Sequence, residues 1–388
     1  MDEFHAAGIS AGFIAASAGA TDLNIESAGQ PARVSGLIKK TNRRRSYCMK
    51  LVLFLGAALI CLCSVVARAQ SSGRTMKAIV VHNYGGPEVL KYEDAQRPEP
   101  KDDQILVRVI AAGVNPVDGM IRSGMFAKYE KAAFPMIPGA DIAGVVEKAG
   151  SKITKLKVGD PVYAYVSLKN GGGYAEYAVA TEGEAEPKPK SLTYVEAAAV
   201  PVVALTAWQA LIDTAKLSAG QTVLIHGGSG GVGTFAIQIA KARGAKVIAT
   251  ASTPNQDLLK QLGADVAIDY TKQKFEDVAR GVDVVLDSVG KGTLARSYGV
   301  VKKGGFIVTL VARIDQAELD KYAIRGASLS VNPDSNELAE IGKLIDEKKI
   351  KVIVSQTFPL SEAMKAQEQV ATGHTRGKIV LKVADEPK

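Results

Sequence analysis

Between the apolar run Thr222–His226 and an apolar-periodic stretch opening at Val232 lies His226-Gly227-Gly228-Ser229-Gly230-Gly231-Val232-Gly233. Few turns constrain a fold more, because Gly228, Gly230 and Gly233 match GxGxxG at the junction of a strand and a helix. The first glycine is expected to permit the tight turn, the second to let backbone approach a pyrophosphate, and the third to let the helix pack on the sheet. The pyrophosphate would meet the free N–H groups and positive dipole end of that helix. Gly228, Ser229, Gly230, Gly231, Val232 and Gly233 are therefore candidate dinucleotide ligands.

The surroundings of the turn fit that reading. Strands are predicted at Thr222–His226, Lys246–Ala251, Val266–Asp269, Val282–Asp287, 305–310 and 327–331. They alternate with helices at 232–244, 255–262, 275–280 and 293–301. Repeated βα units of this length specify a parallel, doubly wound sheet. Ligands bind outside the carboxyl ends of such strands, where Ser252, Tyr270, Ser288, Val289, Leu310 and Val311 lie. An NAD site usually has an acid at the end of the second strand to hold the ribose 2′-OH. Here that strand runs into Ser252-Thr253-Pro254-Asn255, with no acid and no cation, so NADPH is the expected cofactor. Arg376 or Lys378, from the C-terminal segment, would supply the missing positive charge.

The remainder has a different texture. Apolar stretches at 77–81, 105–114, 142–147, 161–166 and 175–180 have strand-like lengths and are broken by Gly and Pro, which predicts a β-rich unit. A last strand at 378–383 is expected to return to it. Residues 49–69 open with Met49-Lys50, carry an apolar run at 51–66 and end Ala67-Arg68-Ala69, the pattern of a secretory signal. The run is shorter than the roughly 20 residues of a spanning helix, so a membrane role requires that it stay uncleaved. Residues 1–48 read as an unstructured or misassigned upstream extension. The formal charge of +8 is misleading: residues 1–70 hold 8 Lys/Arg against 4 Asp/Glu, leaving 40 against 36 over the other 318 residues. That balance gives no nucleic-acid footprint. All 3 cysteines, Cys48, Cys61 and Cys63, also lie in this leading segment.

Several further motifs now carry a resemblance. They are 112–118 (AGVNPVD) with Arg122, 138–146 (PGADIAGVV), 158–162 (VGDPV), 173–177 (GYAEY), 205–208 (LTAW), the glycine turn and 373–378 (GHTRGK). In this order they resemble the medium-chain dehydrogenase/reductase superfamily, in its zinc-independent quinone oxidoreductase branch. The resemblance implies a GroES-like β-barrel catalytic domain at 76–201, completed by 332–388, and a Rossmann domain at 202–331. It also implies a homodimer and an active site in the interdomain cleft. Zinc-dependent relatives ligate their metal with a Cys and with the His of a Gly-His-Glu motif; this chain has Asn115 and Ala140-Asp141 there, and no cysteine beyond residue 63. His82, His226 and His374 show no paired spacing and read as structural, so no zinc is expected.

Without a Lewis acid, simple alcohol oxidation is disfavoured. Quinones and conjugated carbonyls need less help, because hydride arriving at the conjugated carbon pushes charge onto an oxygen that hydrogen bonds can stabilise. The expected activity is thus an NADPH-dependent reductase of quinones or α,β-unsaturated carbonyls. The alternatives are a 2-enoyl-thioester reductase and a non-catalytic NADPH-binding sensor. By resemblance, Asn115 and Thr206 lie near the nicotinamide and its ribose, and Asn115 helps position the acceptor oxygen. Tyr129 and Tyr174 are candidate proton donors. Asp118 and Arg122 have i,i+4 spacing, which predicts a structural ion pair. An exported or periplasmic location follows from the signal, and a cytoplasmic one if translation starts at Met76.

Overall fold

A computed structural model describes residues 74–129, 131–167, 172–290 and 292–387. The signal-like segment, the upstream extension and all three cysteines lie outside the described residues. Seven strands come first: β1 (Thr75–Val80), β2 (Lys91–Gln96), β3 (Gln104–Val114), β4 (Asp141–Ala149), β5 (Pro161–Tyr165), β6 (Tyr177–Thr181) and β7 (Ala185–Pro187). Between β3 and β4 a short helix α1 (Pro116–Arg122) starts on a proline, whose fixed φ suits a first helical position. After β7, helix α2 (Pro201–Trp208) is buried along its whole length, which is why it shows no amphipathic period.

The glycine turn then opens the second layer. Its strands are β8 (Thr222–His226), β9 (Lys246–Ala251), β10 (Val266–Asp269), β11 (Val282–Asp287), β12 (Val301–Thr309) and β13 (Arg325–Ser328). All pair in parallel, in the order β10-β9-β8-β11-β12-β13. That is the strand order of a Rossmann sheet, with its crevice where β8 meets β11. Near-continuous apolar runs such as Thr222–His226 and Val282–Asp287 are buried on both faces, as strands covered by helices on either side must be. The covering helices include α3 (Gly231–Ala242), α4 (Gln256–Gln261) and α5 (Gly292–Ser297).

Past the sheet, α6 (Ser335–Asp346) is capped by the Asp334 carboxylate, which accepts from the Asn336 and Glu337 amides. Next come β14 (Val354–Pro359), α7 (Ala363–Ala371) and β15 (Lys378–Lys382). Strand β15 pairs antiparallel with β3, so the C-terminus joins the first sheet in the order β14-β15-β3-β4-β5-β7, with β6 also on β3.

Two helices are shorter than the sequence predicts. The helix at 275–280 is a single 3-10 turn, Phe275–Asp277, because the Phe275 ring is drawn down onto His226, with centroids 4.5 Å apart, and Ala279 is buried. The helix at 293–301 ends at Ser297, and β12 begins at Val301, earlier than residue 305.

Candidate active site

The turn after β8 assigns its glycines differently from the sequence reading. The left-handed residue is Gly227, at φ +70°, rather than Gly228. Gly228 is needed for closeness: a Cβ there would stand 2.9 Å from Leu259 and 3.1 Å from Ala249. On Gly233 a Cβ would collide with the Gly227 carbonyl oxygen and lie 2.6 Å from the Gly228 Cα, so helix and turn touch through bare backbone. Gly230, the N-cap of α3, has only the Gly227 oxygen near its missing Cβ, at 3.4 Å, and its outer face is open. The Thr234 amide returns to the Gly230 carbonyl at 3.0 Å, which leaves the N–H groups of Gly231, Val232 and Gly233 at the helix start for an anion. The Gly377 amide donates to the Ser229 carbonyl at 2.8 Å, bringing exposed Arg376 beside the turn.

At the β9 end Ser252 is half-buried, and its hydroxyl accepts from Asn255 Nδ2 at 3.2 Å. Parallel pairing sets the end of β10 beside it, and the Tyr270 amide donates to the Ala251 carbonyl at 3.3 Å. This neighbour supplies two groups the sequence reading missed. Asp269 brings a carboxylate, where none was expected, but it accepts from the Thr253 and Thr271 hydroxyls at 2.5 and 2.7 Å. Those hydroxyls hold it below its ordinary pKa. Lys272 brings a cation, with Nζ 3.7 Å from Asp269.

Around the crevice Val289 and Val311 are exposed, and Leu310 is half-buried. The Ser288 hydroxyl donates to the His226 carbonyl at 2.8 Å. Fully buried Asp287, unnoticed in the sequence, shapes this rim by accepting from the Val289 and Gly290 amides and from the Thr309 hydroxyl. His226 sits beneath, between the Thr250 and Ser297 hydroxyls at 3.3 and 3.0 Å. Burial, with a smaller push from Arg296, lowers its pKa to about 3, so the ring is neutral and structural.

Opposite the sheet lies a buried polar cluster. Asn115, at the head of α1, donates through Nδ2 to Asp141 at 2.8 Å and accepts through Oδ1 from the Lys378 ammonium at 2.6 Å. Lys378 Nζ also donates to Asp141 Oδ2 and to the Val114 carbonyl, both at 3.0 Å. Asp141 Oδ1 accepts from the Val202 amide at the start of α2, and Thr206 on that helix spends its hydroxyl proton on the Val202 carbonyl. Lys378 is thus no surface ligand for a 2′-phosphate: its charge is neutralised 3.0 Å from Asp141 in the interior. Only its stem nears the turn, 3.2 Å from where a Cβ on Gly231 would be.

Two further expectations fail. Asp118 and Arg122 form no ion pair; Asp118 Oδ2 accepts from the Asn115 amide at 2.9 Å and the Tyr174 hydroxyl at 2.6 Å, and Arg122 donates to the Gly85 carbonyl. Tyr174 is completely buried, burial raises its pKa well above the ordinary value, and its hydroxyl proton is spent on Asp118 Oδ2, so it has none to offer at the cleft. Tyr129 is 55% exposed and borders a cavity of about 820 Å³, which Tyr84, Val117, Asp118, Ile121 and Phe126 also line. Among the described residues no group of three or more His, Cys, Asp or Glu side chains is placed to hold a metal ion.

A Rossmann sheet with a glycine turn beside a second, largely antiparallel sheet is the frame of this site, and comparison with known proteins gives its class. The alcohol dehydrogenase GroES-like domain family matches residues 101–190, and the family described as zinc-binding dehydrogenase matches 262–381. The chain is 40% identical over 319 residues, 79% of this chain and 80% of the other, to the chloroplastic NADPH-dependent alkenal/one oxidoreductase of Arabidopsis thaliana. It is 36% identical over 328 residues, 79% of this chain and 98% of the other, to the quinone oxidoreductase of Mus musculus. The solved quinone oxidoreductase of Coxiella burnetii superposes with a TM-score of 0.75 at 38% identity, over 80% of this chain and 100% of that one. The chain therefore belongs to the medium-chain dehydrogenase/reductase superfamily. Its relatives put it in the quinone oxidoreductase branch, and it is an oxidoreductase.

Proposed function

We propose that this protein uses NADPH to reduce quinones or α,β-unsaturated carbonyls, without zinc. The observation that carries the reading is the Asn115–Asp141–Lys378 cluster: Asn115 stands where zinc-dependent relatives present Cys and Ala140 where they present His, and Asn115 with Asp141, the next residue, holds a lysine ammonium. With no metal ligands at those positions, negative charge on an acceptor oxygen would be met by hydrogen bonds instead. The open face of Gly230 and the α3 N-terminus suit a pyrophosphate. Ser252, Tyr270, Lys272 and Arg376 would surround a 2′-phosphate, and Thr206, Ser288, Val289, Leu310 and Val311 would flank the nicotinamide half. The bound cofactor supplies a hydride; the chain's residues fix its orientation and exclude water.

The name of the Arabidopsis relative supports both NADPH and conjugated carbonyl acceptors. We further propose that the enzyme is a homodimer and is exported through residues 49–69, which N-terminal sequencing of the native protein tests. The activity test is NADPH consumption with quinones, 2-alkenals, enones and enoyl thioesters, alongside elemental analysis. Turnover of quinones or enals by protein lacking stoichiometric metal supports the proposal. Preference for thioesters, no consumption with any acceptor, or one zinc per chain contradicts it.

A further inference from the structure

The polar cluster has an imbalance that the proposed function leaves unexplained. Asp141 and Lys378 form a neutral buried pair. Asp118, on α1, lies against the same cluster and is 1% exposed. If ionised, it leaves one uncompensated negative charge in the interior, which is costly. The groups packed around it offer little relief. From the loop before β6 comes the Tyr174 hydroxyl, from β15 the Lys378 ammonium already bonded to Asp141, and from β4 Asp141 itself, which repels. On its own helix Arg122 donates to the Gly85 carbonyl, and from α7 comes uncharged Gln367. Burial pushes the Asp118 carboxyl up to about 6 despite the bonds from Tyr174 and Asn115.

The hydrogen bonds also say which oxygen carries the proton. Asp118 Oδ2 accepts twice, from the Asn115 amide and the Tyr174 hydroxyl. Asp118 Oδ1 is buried and has no partner among the described residues. A proton on Oδ1 is therefore a donor without an acceptor among the described residues, on a residue that borders the large cavity.

We propose that Asp118 is the proton donor of the reaction, passing its Oδ1 proton, directly or through one water, to the oxygen of the reduced acceptor. The inference rests on the reductase reading above. Hydride adds to the conjugated carbon, and the electron pair of the double bond moves onto the carbonyl oxygen. The Asp118 O–H bond breaks as the new O–H bond forms, leaving an enol that returns to the carbonyl compound in water. The Asp118 carboxylate is then reprotonated from solvent.

The test uses the full chain, its Asp118→Asn and Tyr174→Phe variants, NADPH and a 2-alkenal, with kcat followed between about pH 5 and 9. Wild type should lose kcat about tenfold per pH unit on the descending limb, where the acid is mostly deprotonated. Asp118→Asn should lower kcat by about 10²–10⁴-fold and abolish that limb, with the Kd of NADPH unchanged within about twofold. Tyr174→Phe removes a donor that favours the carboxylate, so the limb should move to higher pH. Wild-type kcat with an unchanged limb in Asp118→Asn overturns the proposal; if that variant fails to fold, an unmoved limb in Tyr174→Phe does so. If wild type reduces no acceptor, the reductase reading fails instead. An infrared pH titration of the cofactor-free protein then still decides whether a protonated-carboxyl band exists that Asp118→Asn removes; its absence overturns the assignment.

Discussion

Two glycines of one turn should separate stability from cofactor binding. At Gly233 an added Cβ meets backbone on both sides, the Gly227 carbonyl oxygen and the Gly228 Cα at 2.6 Å, and neither can rotate away. Gly233→Ala must therefore lift α3 off the turn, an overpacking strain that costs about 3 kcal/mol. At Gly230 the backbone angles of −78° and 177° suit alanine, and the nearest atom to a Cβ is 3.4 Å away. Alanine gains up to about 1 kcal/mol from the unfolded chain and loses a similar amount as a poorer N-cap, so Gly230→Ala should be neutral within about 1 kcal/mol. Its methyl would stand where the pyrophosphate approaches the α3 amides. Lengthening one or two charge-assisted hydrogen bonds costs about 1.5–3 kcal/mol, or roughly 10- to 150-fold in Kd. Urea denaturation without cofactor and NADPH fluorescence titration read the two effects. Wild-type affinity in Gly230→Ala would refute a pyrophosphate over that glycine, and wild-type stability in Gly233→Ala would refute the backbone contact.

Other perturbations follow from the buried groups. Lys378→Met leaves the buried Asp141 carboxyl without its partner, and should cost about 3–5 kcal/mol in chemical denaturation, far more than loss of a surface lysine. His226 is neutral when folded, with a pKa of about 3 against 6.5 when unfolded, so its contribution is complete above pH 6.5 and disappears as pH falls toward 3. Between those limits stability should fall by about 1.4 kcal/mol per pH unit from this one ring, and a folded His226→Gln variant should show a shallower acid slope. An equal slope in the two proteins would contradict the buried, neutral histidine.

What could be read from sequence was what local pattern controls. The parallel sheet was legible because strands buried on both faces are continuous apolar runs, and the turn because its glycines sit at a strand–helix junction. Strand β2 was not, since Lys91–Gln96 is polar and largely exposed, and hairpin pairing with β1 rather than apolar alternation makes it a strand. The spacing of Asp118 and Arg122 suggested a structural ion pair. Burial of the carboxylate under Tyr174, a contact spanning 56 residues, decides otherwise. Lys378 showed its charge but not its direction, which is set by the antiparallel register of β15 on β3 beside Asn115. Lys272 and Asp269 escaped notice because only the pairing of β10 with β9 brings them beside Ser252.

Hydride delivery to a conjugated carbon is read out by isotope transfer. NADPH deuterated at the transferred position of its nicotinamide, incubated with this protein and a 2-alkenal, should give the saturated aldehyde with deuterium on the β-carbon. Deuterium on the carbinol carbon of an alcohol, or no labelled product from any quinone or conjugated carbonyl, would contradict the account.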